Sequence, residues 1–88
     1  MTSSVFRQLP RIEQIQLLFD NGHELTGRFY LFFNIRLYTL QGLFVEVWYH
    51  QVTNRIDRIM VVDSADVLTL YENQISIGDI SHEIGRGS

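Results

Sequence analysis

The chain has 88 residues, of which 45% are hydrophobic and 19% charged, a composition that predicts one small globular domain rather than a disordered segment. The formal net charge is −3, and all seven basic residues are arginines spread singly along the sequence. Nucleic acid is therefore an unfavourable partner, because phosphate backbones reward clustered positive charge. The absence of cysteine excludes disulfides, thiolate metal sites and a cysteine nucleophile.

Features that direct a protein into or across a membrane are not found in the sequence. No apolar run reaches the roughly 18 residues needed to span a bilayer. The first residues lack the basic-then-apolar order of a secretory signal. We therefore expect a cytoplasmic protein without a membrane partner.

Residues 10–21 fit two structures. As a helix, the segment begins near Pro10 and stops at a left-handed Gly22. One helix face then carries Ile12, Ile15, Leu18 and Phe19. As a strand, residues 15–20 alternate between apolar and polar, and Asn21-Gly22 makes a tight hairpin turn. The arginine, glutamate, glutamine and leucine content favours the helix.

Residues 25–40 are rich in aromatic and aliphatic side chains and are predicted as strand. They form either one long strand with a kink or bulge at Gly27, or two strands that turn near residues 32–34. The run 29–33 presents aromatic rings to both faces if it is extended. That is more apolar surface than a small domain easily hides, which favours subunit pairing for part of it.

The turn near Gly42 sets the register of the next hairpin. A two-residue loop, 41–42, would set Leu37 against Glu46 and Arg36 against Val47, which places charges opposite apolar side chains. A three-residue loop, 40–42, puts glycine at the left-handed position of a bulged turn. It pairs residues of like kind, namely Tyr38 with Phe44, Leu37 with Val45, Arg36 with Glu46 and Ile35 with Val47. We therefore predict the three-residue loop.

A further turn at Thr53-Asn54 leads into a strand at 55–62. The predicted register pairs Val45 with Val62, Val47 with Met60, Trp48 with Ile59 and His50 with Asp57. The core face of the sheet is then Ile35, Leu37, Val45, Val47, Met60 and Val62. A capping signal at 63–66 opens a short helix with an apolar stripe.

These elements predict an α+β fold: an antiparallel meander sheet of three to four strands, with an N-terminal helix and a short helix after the last strand. The helices are expected on one face of the sheet. Residues 1–80 would form the single domain, and residues 81–88 a disordered tail with little to bury.

The more polar face of the predicted sheet is the candidate interaction surface. Its residues are Arg36, Tyr38, Phe44, Glu46, Trp48, His50 and Asp57. Tryptophan and tyrosine often contribute much of the binding energy of an interface, which favours Trp48 as a contact residue. An equally favoured alternative is that a helix or the first strand covers Trp48. Arg36 and Glu46 are interpreted as a surface ion pair that also guards the register.

Catalysis and metal binding have little support in the sequence. His50 beside Asp57 is the orienting half of a general-base pair, but no nucleophile lies within reach. A polar pair at the edge of the sheet is the simpler interpretation. The three histidines lack paired ligand spacing, and no glycine-rich phosphate loop is present. We expect no enzymatic activity, no cofactor and no metal.

Two resemblances are carried by local motifs. The hairpin core FVEVWY at 44–49, with Asn21-Gly22 before it and Ile56 and Ile59 after it, resembles a family of small bacterial proteins without an assigned activity. That resemblance implies a compact single domain and no catalytic residues. If residues 15–19 form a strand, FDNGHELTGRF at 19–29 is also similar to the first hairpin of Sm-like and other small barrels, which implies RNA binding by oligomeric rings.

The sequence therefore favours a non-enzymatic protein-interaction or structural module that self-associates through sheet aromatics, as a homodimer or a subunit of a small complex. The alternative is a small-ligand or RNA-binding module that uses Arg36, Tyr38 and Trp48 for stacking and anion recognition.

Overall fold

The computed structural model describes residues 1–72 and has the predicted α+β fold. Its elements are α1 (Ser3–Gln8), α2 (Arg11–Asn21), β1 (His23–Tyr30), β2 (Phe33–Leu40), β3 (Leu43–His50), β4 (Ile56–Val62) and α3 (Ser64–Leu70). The four strands form one antiparallel meander in the order β1-β2-β3-β4. The predicted disordered tail, 81–88, and the end of the predicted domain lie outside the described residues.

The ambiguous segment 10–21 is a helix, as favoured, but its buried side differs from the predicted stripe. Leu18 is fully buried and Leu17 packs against the same core, whereas Ile12 and Phe19 are more than half exposed. Gly22 ends α2 with φ −83°, so it is not left-handed. Glycine is required there for space, because a Cβ would lie 2.6 Å from the carbonyl oxygen of Leu18.

The segment 25–40 forms two strands, which resolves the open alternative. The turn is at residues 31–32, and the β1 bulge lies between Glu24 and Thr26 rather than at Gly27. A Cβ at Gly27 would lie 2.6 Å from Arg36 Nη1. Glycine therefore lets the Arg36 guanidinium cross β1, where it binds the Glu24 carboxylate.

The predicted three-residue loop between β2 and β3 is wrong. The loop has two residues, and both Gln41 (φ 48°) and Gly42 (φ 86°) are left-handed, as in a type I′ turn. Leu37 consequently lies opposite Glu46, and Arg36 lies opposite Val47. This is the register that charge matching rejected.

The predicted register of β3 against β4 is also wrong, by one residue. Val45 lies opposite Val61, Val47 opposite Ile59 and Trp48 opposite Arg58. Because directly paired residues share a face, the predicted core face is divided between the two sides of the sheet. One side carries Ile35, Leu37, Met60 and Val62, and the other carries Val45 and Val47.

Helices cover both faces of the sheet rather than one. On the face that carries Val45 and Val47, Phe6 of α1 and Leu18 of α2 pack against these valines. On the face that carries Leu37, α3 and the residue after it supply Val67 and Tyr71, which pack against Leu37. Both faces of the central strands are therefore buried, which accounts for the run of four buried residues at 45–48. Within residues 1–72, none of the helices has the length and apolar character of a membrane-spanning segment.

Candidate functional site

Glu46 is the centre of a buried polar cluster. Its side chain is 1% exposed and accepts two hydrogen bonds from Arg28, from Nε at 3.0 Å and from Nη2 at 3.2 Å. Trp48 Nε1 donates at 3.0 Å, and the Tyr71 hydroxyl donates at 2.7 Å. Four hydrogen bonds from three donor side chains thus meet one carboxylate, which is the arrangement that makes a buried charge tolerable. We call Arg28, Glu46, Trp48 and Tyr71 the Glu46 cluster.

The cluster changes the proton affinity of its members. For Arg28, burial lowers the pKa, but the hydrogen bond and negative charge of Glu46 outweigh that effect, and the net pKa is raised. For Tyr71, burial raises the pKa of the hydroxyl well above its usual value, and the Glu46 carboxylate raises it further. Both shifts favour the protonated, hydrogen-bonding forms, so the cluster is a structural tie between β1, β3 and the end of α3.

Trp48 lies between two guanidinium groups. The Arg28 guanidinium is 5.5 Å from the ring centroid, and that of Arg58 is 4.8 Å from it. The rings of Tyr30 and Phe33 contact Trp48 edge-on at 6.1 Å and 5.3 Å. With 9% exposure, the indole belongs to the core and supports the residues around it.

The end of the sheet beside this cluster exposes a group of apolar side chains, which we call the aromatic tip. Its five side chains are each between 51% and 84% exposed: Phe29, Tyr30, Leu31, Phe32 and Val52. The backbone N–H of Gln51 donates to the carbonyl of Phe32 at 2.8 Å and joins the two loops that form the tip. A concentration of large exposed apolar side chains at one end of a small domain is typical of a binding surface.

Leu31 occupies a backbone conformation that leucine disfavours. Its φ is 52°, in the left-handed region where glycine or asparagine is normally found. The turn would therefore form more readily with a different residue. An unfavourable backbone conformation at an exposed residue is a common sign of a functional constraint.

Two of the predicted site residues lie on the face that α2 covers. Arg36 binds Glu24, not Glu46, so the predicted Arg36–Glu46 pair does not form. The half-buried Tyr38 ring lies 6.0 Å from Phe19, and burial, followed by the nearby Tyr49, raises the pKa of Tyr38 to about 12.

The other predicted residues lie on or beside the opposite face. Phe44 packs in the cluster around Leu37 and Val67, while Glu46 and Trp48 are buried as described. His50 Nδ1 accepts from the backbone N–H of Val52, and the Asp57 carboxylate accepts from Arg58. The predicted His50–Asp57 pairing is therefore absent from the sheet register, which pairs Tyr49 with Ile56.

Sequence reasoning missed Arg28, Tyr71, Leu31 and Val52 as site residues. One available signal was Glu46 itself, since a single carboxylate inside the apolar run 43–48 requires a buried cationic partner. The run 29–33 did signal exposed aromatics, but the turn that exposes them could not be placed. Among residues 1–72, no group of three histidine or acidic side chains could hold a metal ion.

Comparisons with known proteins give no relative. No family model matches the chain, and neither the curated proteins nor the solved structures include a significant match. The Sm-like resemblance required a strand at 15–19, where the structure has α2. The site must therefore be interpreted from its own geometry.

Proposed function

We propose that the chain is a non-enzymatic interaction module of the cytoplasm that self-associates through the aromatic tip. The observation that carries the proposal is the exposure of Phe29, Leu31 and Phe32, each about 70% accessible, at one end of the sheet. Burying such side chains against a partner removes apolar area from water at about 25 cal/mol per Å². A cysteine-free chain suits the reducing cytoplasm.

The tip replaces the predicted sheet face as the proposed contact because of burial. Trp48 and Glu46 are buried in the protomer and cannot contact a partner directly. Trp48→Ala would disturb folding and binding together, so it does not separate them. Leu31 and Phe32 are each about 70% exposed, so their substitution tests binding with little effect on packing.

The tip is held in place before any partner arrives. Tyr30 and Phe33 pack on Trp48, and Trp48 is fixed by its hydrogen bond to Glu46. A surface mounted on ordered strands loses less conformational entropy on binding than a free loop does. The Glu46 cluster therefore has a positioning role in this proposal.

The test is the solution mass of the protein over a wide concentration range, by light scattering or sedimentation equilibrium. We expect wild type to associate, and Leu31→Gln/Phe32→Gln to remain monomeric with an unchanged circular dichroism spectrum. The matched control is Leu68→Gln/Leu70→Gln, which removes two exposed leucines from α3 and should associate like wild type. A monomeric wild type, or a tip variant that associates normally, would contradict the proposal.

A second candidate function is the binding of a small anionic ligand or single-stranded RNA at Arg58, whose guanidinium lies over the buried Trp48 ring. Arg36 and Tyr38 lie on the other face, but the half-exposed Arg58 stacks on Trp48 and supports an anion site there. Fluorescence of Trp48, the single tryptophan, should then change on titration with nucleotides or RNA and recover with added salt. A flat response to all ligands eliminates this candidate.

A further inference from the structure

Strand β1 is one edge of the described sheet. Its residues pair with β2 on one side, and the backbone N–H and C=O groups on its outer side point away from the sheet. Natural edge strands are normally guarded by lysine, proline, a bulge or a covering segment. β1 contains no lysine or proline, and its bulge leaves residues 26–30 regular. It also presents Leu25 and Phe29, which are 50% and 73% exposed, so β1 suits an edge that another segment covers.

The opposite edge, β4, is guarded by charged side chains. Arg11 of α2 donates from Nη1 to the carbonyl oxygen of Ile56 at 3.2 Å and from Nη2 to that of Asp57 at 3.1 Å. β4 also carries the exposed Asp57–Arg58 ion pair. Charged side chains along an edge disfavour the addition of a strand. Of the two edges, β1 is therefore better suited to accept one.

The described chain ends close to β1. Tyr71, the residue after α3, is fully buried, and its hydroxyl donates to Glu46 at 2.7 Å. The guanidinium carbon of Arg28, a β1 residue, lies 5.6 Å from the centroid of the Tyr71 ring. These contacts fix the point from which the rest of the chain departs. Three residue steps beyond Tyr71 span up to about 10 Å, or about two strand spacings, so residue 74 can reach the outer side of β1.

The sequence beyond the described residues, 73–88, begins with a strand pattern. Residues 74–77 read QISI, in which isoleucine alternates with a polar side chain. The β-branched isoleucine favours strand, and strict alternation gives one apolar and one polar face. Gly78 and Asp79, which follow, are typical turn residues. The stretch 74–77 therefore has the length and pattern of a short edge strand.

We propose that residues 74–77 pair with the outer edge of β1 as a fifth strand supplied by the same chain. The chain's own segment is favoured as the occupant because it is tethered beside the edge. A short tether gives an effective concentration on the order of millimolar, which a partner from solution would have to match. The inference is independent of self-association through Leu31 and Phe32, which form the turn at the end of β1 rather than its edge.

The first test uses a spin label in the full-length chain. The sequence has no cysteine, so a single introduced cysteine carries the only label. With the label at Ser76→Cys, the NMR amide signals of residues 26–30 should broaden more than those of β4. The matched control is Ser88→Cys, at the last residue, which should broaden residues 26–30 far less. A mixture of labelled protein with isotope-enriched, unlabelled protein detects broadening between copies.

The second test measures amide hydrogen exchange without a label. In full-length Ile75→Ser/Ile77→Ser, the outward-pointing amides of residues 26–30 should exchange at least about tenfold faster than in wild type, because they lose their partner strand. The amides of β3 should be unchanged. The matched control, Ile80→Ser/Ile84→Ser, makes the same chemical change beyond the turn residues and should exchange like wild type. Equal Trp48 fluorescence in all three proteins shows that the domain stays folded.

The expected result is broadening of residues 26–30 within single copies, together with faster exchange in Ile75→Ser/Ile77→Ser alone. Unbroadened signals for residues 26–30 with the label at Ser76→Cys would overturn the proposal. Equal exchange rates in the two isoleucine variants would also overturn it. If broadening occurs only between copies, the segment pairs with another molecule, and pairing within one chain is wrong.

Discussion

Removing the Glu46 carboxylate should destabilise the domain more than any substitution at the aromatic tip. In Glu46→Ala, Arg28 keeps its charge in a site where its side chain is only 14% exposed. Trp48 Nε1–H and the Tyr71 hydroxyl lose their acceptor at the same time. Three donor side chains therefore remain without the carboxylate that accepted their hydrogen bonds.

The expected loss can be worked from these contacts. Breaking a buried ion pair by removing one partner costs about 3–5 kcal/mol, and Arg28 belongs at the lower end because β1 is an edge strand that water can reach. Each orphaned neutral donor adds about 1 kcal/mol where water can partly replace the acceptor. The sum, about 5 kcal/mol, approaches the whole stability of many 88-residue domains, about 4–13 kcal/mol.

Urea unfolding at neutral pH, followed by Trp48 fluorescence and circular dichroism, measures this loss. A cycle of Arg28→Met, Glu46→Leu and the double variant should give a coupling of about 1–3 kcal/mol, because the double variant leaves no unpaired charge. The matched control is the exposed Asp57–Arg58 pair, where Asp57→Ala should cost less than about 1 kcal/mol. Additive single losses, or a Glu46→Ala variant as stable as the control, would refute the buried-charge reasoning.

Three further predictions concern single residues. Tyr71→Phe removes a hydrogen bond to a charged acceptor and should lower stability by about 1.5–3 kcal/mol at neutral pH. Because the folded state raises the pKa of Tyr71, wild-type stability is fully present below pH about 10 and falls as the pH rises further. The free energy of unfolding of Tyr71→Phe, measured in urea above pH 10, should therefore fall less steeply with pH than that of wild type. Part of the remaining slope comes from Tyr38, whose pKa in the folded protein is about 12. Equal slopes for the two proteins would contradict this prediction. Gly27→Ala should lower the free energy of unfolding by about 1–3 kcal/mol, because its Cβ would lie 2.8 Å from the carbonyl oxygen of Ile35. The measurement is thermal unfolding, and an unchanged midpoint would show that β1 adjusts freely. Leu31→Asn should raise stability by up to about 1 kcal/mol, since asparagine tolerates a φ of 52°. The same substitution should weaken self-association. A loss of stability would mean that Leu31 packs within the protomer.

The fold class followed from signals that are local in the chain. Helix propensity resolved residues 10–21 correctly, and the capping signal at 63–66 coincides with the start of α3 at Ser64. The meander followed from alternating segments separated by turn residues. Helix α1 was not predicted, although Thr2 caps it by accepting from the backbone N–H of Val5. Six residues give too short a period for a pattern to emerge.

The tip could be predicted only in part, because its exposure depends on where one turn falls. Asn34 was the only turn signal between residues 25 and 40, yet the turn is at 31–32 and Asn34 lies within β2. A leucine at a left-handed position carries no sequence signature of a turn. The aromatic run therefore predicted excess apolar surface without predicting which side chains would be exposed.

The register failed for a physical reason that centres on Glu46. Charge matching compared only the two strands of one hairpin and assigned Arg36 as the partner of Glu46. The true partner, Arg28, lies on β1, two strands away from Glu46. Arg28 pairs with Ile35, and Ile35 pairs with Trp48, so the Arg28 side chain lies on the same face of the sheet as Trp48 and Glu46. In a sheet covered on both faces, the partner of a buried charge can come from any element on that face. The two-residue loop then follows from the left-handed conformations of Gln41 and Gly42, and the apparent mismatch of Leu37 with Glu46 disappears once three donors surround the carboxylate.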